Sequence, residues 1–207
     1  MINSTRLLVA ALLAVTVRVS HAADAVLTGQ RADATSSVNL TEEGTLDWVH
    51  WGLIGGVNIV NRKKTNHPLV SDLKKFGNRG IHTYVPTVYY LWTDGEPTIE
   101  AKTRRAIFVY GPANGFELSF PADTKLRELK VYCGLWLMDA QLDVKLGDGA
   151  LTYTDRVGSR DLKGGHYVYT IRYRAKSADE KVTLRWMNVK GGGNVTMEAV
   201  TLAEVKE

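Results

Sequence analysis

The stretch Asp47-Trp48-Val49-His50-Trp51-Gly52 decides the fold. It places two of the chain's five tryptophans and one of its five histidines within six residues. Side chains alternate across a strand, so Val49 and Trp51 share one face while Trp48 and His50 share the other. Before it come a strand-like run, Ser37-Val38-Asn39-Leu40-Thr41, and a turn, Glu42-Glu43-Gly44-Thr45. We read the stretch as a central strand of a β domain, with Trp51 turned toward the core.

The same period of two recurs down the chain, and no sustained helical period follows the first residues. Phe116-Glu117-Leu118-Ser119-Phe120 alternates without a fault. Leu129, Val131, Cys133 and Leu135 share one face of the next run, and Leu142, Val144 and Leu146 one face of the run after it. Tyr167, Tyr169, Ile171 and Tyr173 alternate with Val168, Thr170, Arg172 and Arg174. Val182, Leu184 and Trp186 alternate with Thr183, Arg185 and Met187. The final run, residues 194–205, is apolar on both faces. Glycine- and proline-bearing turns separate the runs, at Gly111-Pro112-Ala113-Asn114-Gly115, Gly147-Asp148-Gly149, Lys163-Gly164-Gly165 and Gly191-Gly192-Gly193-Asn194. Short strands at this spacing predict an all-β antiparallel β-sandwich or barrel.

The first residues read differently. Arg6 precedes an apolar run at residues 7–17, and Ser20-His21-Ala22 is a small-residue cleavage site, the order of a secretory signal. Eleven apolar residues closed by Arg18 are too few for a spanning helix, which needs roughly 20. We therefore expect residues 1–22 to be removed, residues 23–207 to form one domain, and the product to be secreted or periplasmic, with no transmembrane segment. Loss of the signal removes Arg6 and Arg18 and no acid, so the formal charge falls from +4 to +2. That balance gives nucleic acid no support as a partner. Cys133 is the only cysteine, which excludes an intramolecular disulfide, and its place on an apolar face predicts a buried thiol. Residues 62–79 carry six basic side chains against Asp72 alone, a basic excursion that is either a patch for an anionic polymer or a solvated connection.

Motifs for catalysis are absent: there is no Gly-x-Ser-x-Gly elbow, no His-Glu-x-x-His and no phosphate-cradling glycine loop. We expect no enzyme activity. His50, His67, His82 and His166 are scattered without a metal-ligand spacing. No cofactor is expected. Glu42, Asp47 and Glu198 are the donors that a structural calcium would use, but no loop has the dense acidic spacing of a dedicated site.

Aromatic residues carry the functional reading. Trp51 and Trp186 fall on apolar faces and belong to the core. Trp48 and His50 point the other way, and Tyr132 and Trp136 lie opposite the Cys133 face of their strand. Exposed rings beside polar groups suit a sugar, because the ring packs on the C–H face of a pyranose while the polar groups bond its hydroxyls. The candidate carbohydrate-binding residues are Trp48, Trp92 and Trp136 as platforms, with His50 and Asp94 as polar partners.

Four stretches also carry a resemblance. They are residues 39–52, Trp92-Thr93-Asp94-Gly95-Glu96-Pro97-Thr98, residues 115–124 and Gly193-Asn194-Val195-Thr196-Met197. Together they resemble a secreted bacterial β-sandwich module similar to the galactose-binding-domain-like jelly rolls, to which many carbohydrate-binding modules belong. The resemblance implies a jelly roll and no particular activity. Two functions follow as expectations: a non-catalytic module that binds a glycan through exposed aromatics, or a structural or protein-interaction module of the cell envelope with no sugar ligand.

Overall fold

The computed structural model of the protein describes residues 24–53 and 59–206, so the expected signal lies outside the described residues. The chain runs through β1 (Val26–Asp33), β2 (Ser37–Asn39), a single-turn helix α1 (Leu40–Glu43), β3 (Asp47–Trp51), β4 (Val60–Lys63), β5 (Lys74–Phe76) and β6 (His82–Tyr84). It continues through β7 (Tyr89–Trp92), β8 (Gly95–Glu96), β9 (Ala101–Thr103), β10 (Ala106–Tyr110) and β11 (Gly115–Ala122). The long strands follow: β12 (Arg127–Trp136), β13 (Met138–Leu146), β14 (Leu151–Ser159), β15 (Gly165–Arg174), β16 (Glu180–Lys190) and β17 (Asn194–Glu204).

Two large sheets face each other. One has five strands in the order β14-β13-β16-β11-β5. The other follows the path β1-β15-β12-β17-β3-β4-β8 and also holds β10 and β6. From β11 onward the chain passes repeatedly between the two sheets, with only the β13–β14 hairpin staying in one. This is the winding of a jelly-roll sandwich, and the expected antiparallel β-sandwich is what the protein forms.

The alternation read from the sequence places the core. Phe116, Leu118 and Phe120 of β11 stand opposite Trp186, Leu184 and Val182 of β16, and all six are buried. Leu129, Val131 and Cys133 of β12 meet them from the other sheet, as do Val49 and Trp51 of β3. Burying each large side chain contributes about 1.5–3 kcal/mol. Cys133 is fully buried, as expected, and burial raises the pKa of its thiol well above the ordinary range.

Two local readings change. Leu40 and Thr41 do not continue the strand: Asn39 caps α1, its side chain accepting a hydrogen bond from the Glu42 backbone N–H. The basic segment is not a simple excursion either. It starts in β4 and contains β5, which pairs with β11. Lys63 is tied to Asp94, and Arg62 lies 3.7 Å from Asp72.

The large sheet forks at β17. The first part of β17 pairs with β10, and its later part pairs with β3. A third, three-stranded sheet of β2, β7 and β9 packs on the β3 branch and closes its outer face. The β10 branch carries no such cover. This division positions everything described below.

Candidate functional site

On the β3 branch the outer-face residues are not available to a ligand. Trp48 and His50 are 0% exposed and Trp92 is 1% exposed. Trp48 and Trp92 pack together with ring centroids 5.2 Å apart, inside a second apolar cluster with Val38, Leu40, Val88, Tyr90, Tyr132 and Ala199. The expectation of exposed platforms at Trp48 and Trp92 is therefore corrected. Its face assignment was right, but the face opposite the main core is covered by a sheet rather than by water.

The polar partners proposed there are committed as well. Asp94 accepts hydrogen bonds from Thr41 Oγ1 at 2.6 Å, Trp48 Nε1 at 2.9 Å and Lys63 Nζ at 2.5 Å. Partial burial would raise its pKa, but those three donors hold it below its ordinary value. It joins α1, β3 and β4 instead of facing a sugar. His50 lies between Tyr90 and Trp92, with centroids 5.5 and 5.1 Å away. Neither ring nitrogen completes a hydrogen bond among the described residues. The Arg105 backbone approaches it without completing one, and burial pushes its pKa down to about 4. His50 is a neutral core residue at neutral pH.

Trp136 is different. It ends β12 on the β10 side of the fork and is 40% exposed, the only tryptophan among the described residues so placed. Its Nε1 donates to the Leu162 carbonyl at 2.9 Å, which fixes the ring. The turn supplying that carbonyl ends at Gly164, whose φ of +71° favours glycine. A cleft of about 220 Å³ opens beside the ring. Tyr84, Phe108, Leu135, Lys163, His166, Asn194 and Thr196 are among the residues that line it.

The register shows how five strands build this floor. His82 stands opposite Phe108, Phe108 opposite Thr196, Thr196 opposite Gly134, and Gly134 opposite His166. These residues form one cross-strand row, and Tyr110, Asn194 and Trp136 form the next. The row dips at Gly134. A Cβ there would lie 2.8 Å from Thr196 Oγ1 and 2.6 Å from the Gly165 carbonyl, so a side chain would fill the cleft floor from beneath.

Beneath the floor sits Glu198, 1% exposed. Its Oε1 accepts from Tyr84 OH at 2.6 Å, His166 Nδ1 at 2.8 Å and Thr196 Oγ1 at 3.3 Å, and its Oε2 accepts from Tyr90 OH at 2.6 Å. Burial alone would raise its pKa, yet His166, Tyr84 and Tyr90 hold it below the ordinary carboxylate range. Burial likewise works against a charged His166, but the Glu198 carboxylate prevails and raises the imidazole pKa. Each partner favours the charged form of the other, and His166, whose Nε2 makes no hydrogen bond among the described residues, is one of the cleft's lining residues. Glu198 is the hinge between the two branches, since Tyr90 belongs to the covering sheet and Tyr84 to the open side.

Of the five proposed site residues, then, Trp136 alone lies on an open surface beside a cleft. Glu198, His166, Tyr84 and Thr196 were not selected from the sequence. One signal was present: a carboxylate in the middle of the apolar run 194–205 must find partners when buried. Two of the three named calcium donors, Asp47 and Glu198, have other partners. Asp47 accepts from the backbone N–H groups of Trp48, Leu69 and Val70, and Glu198 is saturated as described. No group of three or more metal-ligating side chains occurs among the described residues, and no described helix is long and apolar enough to cross a membrane.

No family model matches the sequence, and no curated protein matches it. Among solved structures the chain is similar to the carbohydrate-binding module TmCBM61 in complex with β-1,4-galactotriose. Identity is 11%, the TM-score is 0.43, and the match covers 65% of this chain and 90% of that one. It is similar to the CBM22-1 xylan-binding domain of Xyn10C from Paenibacillus barcinonensis, with 13% identity, a TM-score of 0.39 and coverage of 65% and 86%. It is also similar to the enzymatically active domain of bacteriophage CBA120 tailspike protein 4, with 10% identity, a TM-score of 0.38 and coverage of 65% and 19%. All three TM-scores lie below 0.5, and no ligand or site residue is carried over from these structures.

Proposed function

We propose that the protein is an exported, non-catalytic module that binds carbohydrate in the cleft beside Trp136. The observation that carries this reading is Trp136 itself. It is a half-exposed indole, fixed by its own hydrogen bond, at the edge of a cleft whose polar groups are only partly spent on the fold. The Asn194 side chain and His166 Nε2 make no hydrogen bond among the described residues, and Thr196 Oγ1 can still accept. A flat apolar ring beside a few convergent donors and acceptors is the chemistry a pyranose requires. Affinity is expected in the millimolar to micromolar range, about −4 to −8 kcal/mol. The partner is a free polysaccharide or a glycan of the cell envelope.

The test is affinity electrophoresis of the folded protein through gels containing a panel of plant, algal and bacterial polysaccharides, with Trp136→Ala alongside. The reading expects at least one polysaccharide to retard the wild type and not the variant. A wild type retarded by none would favour a structural module of the envelope. Export is tested separately by mass spectrometry of the protein from its source. Removal of 22 or 23 residues is expected, and an intact N-terminus contradicts it.

A further inference from the structure

We propose that the cleft takes an acidic sugar, with the carboxylate of a uronic-acid unit held at the Lys163–His166 side of Trp136. This rests on the carbohydrate-binding reading of the same cleft. The charge inventory of the lining carries it. Lys163 is its cation and His166 its titratable imidazole, and among the described lining residues there is no aspartate and no glutamate. Of the carboxylates bonded to lining residues, Glu198 is buried beneath the floor and already accepts from four side chains, and Asp161 accepts from the Lys163 backbone N–H at 2.9 Å. Glu198 therefore has no capacity left for sugar hydroxyls. The same bond network engages Nδ1 of His166 and leaves Nε2 without a partner among the described residues, a donor when the ring is protonated.

A cleft for a neutral sugar needs strong acceptors for several hydroxyl protons, and carboxylates usually supply them. This cleft offers the Asn194 carbonyl and the hydroxyls of Tyr84, Thr87 and Thr196 as side-chain acceptors, none of them a carboxylate, against the Lys163 ammonium and the His166 imidazole. A ligand bearing its own carboxylate reverses the requirement and matches the donors. The far end of the row extends the pattern: His82 stacks on Phe108 at 5.2 Å, and the Arg79 guanidinium lies 5.1 Å from the centre of the Tyr110 ring. A chain of uronate units crossing the row would meet aromatic surface and positive charge at both ends.

The experiment is calorimetric titration of the full chain with polygalacturonate and with its carboxyl-reduced counterpart, which keeps the backbone and loses the charge. Both are run at about 0.15 M salt, where long-range attraction is screened. Wild type should bind the acidic polymer at least about tenfold more tightly. Lys163→Gln should reduce that preference about fivefold, the upper end of what one exposed ion pair supplies. Lys64→Gln makes the same charge change in the basic segment and should leave the preference intact. Equal affinity for both polymers, abolished by Trp136→Ala, would overturn the acidic-sugar inference while leaving carbohydrate binding standing. A preference lost in Lys64→Gln and kept in Lys163→Gln would overturn it in favour of the basic segment. Binding of neither polymer also overturns it, and the wider polysaccharide panel then decides whether the cleft binds any glycan.

Discussion

The two branches of the forked sheet share the central strand β17, the same outer face and a similar wealth of aromatic rings, yet they are put to opposite uses. On the β3 branch Trp48 and His50 lie under the small sheet of β2, β7 and β9, and Trp92 of β7 packs against both of them. On the β10 branch Trp136, Phe108 and Tyr84 border an open cleft. What separates a platform from a core residue is therefore not the residue or its strand face. It is whether a distant segment returns to cover that face.

The histidines show the same contrast in their titration. His50, on the covered branch, is buried without a charge partner, and its pKa falls to about 4. His166, at the edge of the open branch, is paired with Glu198, and its pKa rises. Their effects on stability have opposite signs. Between pH 6.5 and about 4 the unfolded chain protonates His50 and the folded chain does not, so stability falls as the pH falls through that window. The stability contributed by His166 is complete below pH 6.5, its ordinary value, and is lost as the pH rises through its higher folded value.

The sharpest way to break the comparison is to remove a covered ring. Trp48→Ala or Trp92→Ala should destabilise by about 3–5 kcal/mol, because each leaves a large cavity between two packed sheets. Urea unfolding measures this, and a loss below about 1 kcal/mol would show that the cover is loose. The His50 contribution comes next. Its depressed pKa corresponds to about 3 kcal/mol between pH 6.5 and 4. His50→Leu should unfold with a correspondingly flatter acid limb, and an unchanged pH dependence would mean that His50 is not a buried neutral base.

Glu198→Gln tests the hinge. The substitution should cost about 1–3 kcal/mol at neutral pH, since charge-assisted bonds from Tyr84, Tyr90 and His166 are weakened together. It should also return the His166 imidazole toward or below its ordinary pKa, as read by NMR titration of the ring. An unmoved His166 would remove Glu198 from the account of the cleft. The smallest stability effect is expected at Trp136. Its half-exposed ring and single bond to Leu162 predict a loss of about 1 kcal/mol or less on substitution by alanine, the range of surface changes.

These contrasts also show what the sequence could reveal. Alternation assigned Val49 and Trp51 to the main core and Trp48 and His50 to the other face, and it buried Cys133 and Trp186 correctly. It was silent on the cover. β2, β7 and β9 span three, four and three residues, too short for a periodic signal. β2 and β7 also pair in parallel across 52 positions, from Ser37 to Tyr89, and no local rule announces such a contact. The doubly apolar run 194–205 had the same cause: β17 is buried on both sides because it serves both layers. Glu198 lies in the middle of that run, a carboxylate that needs partners when buried, but Tyr84, Tyr90 and His166 come from three other strands, and only the folded topology brings them to it.

The central claim is that ligand reaches Trp136 and not the covered tryptophans. The five tryptophan indole N–H signals in a nitrogen–proton correlation spectrum test it directly, with a retained polysaccharide titrated into the folded protein. The account predicts that the Trp136 signal shifts and saturates with ligand while those of Trp48 and Trp92 stay in place. Saturable shifts at Trp48 or Trp92 with an unmoved Trp136 would contradict it.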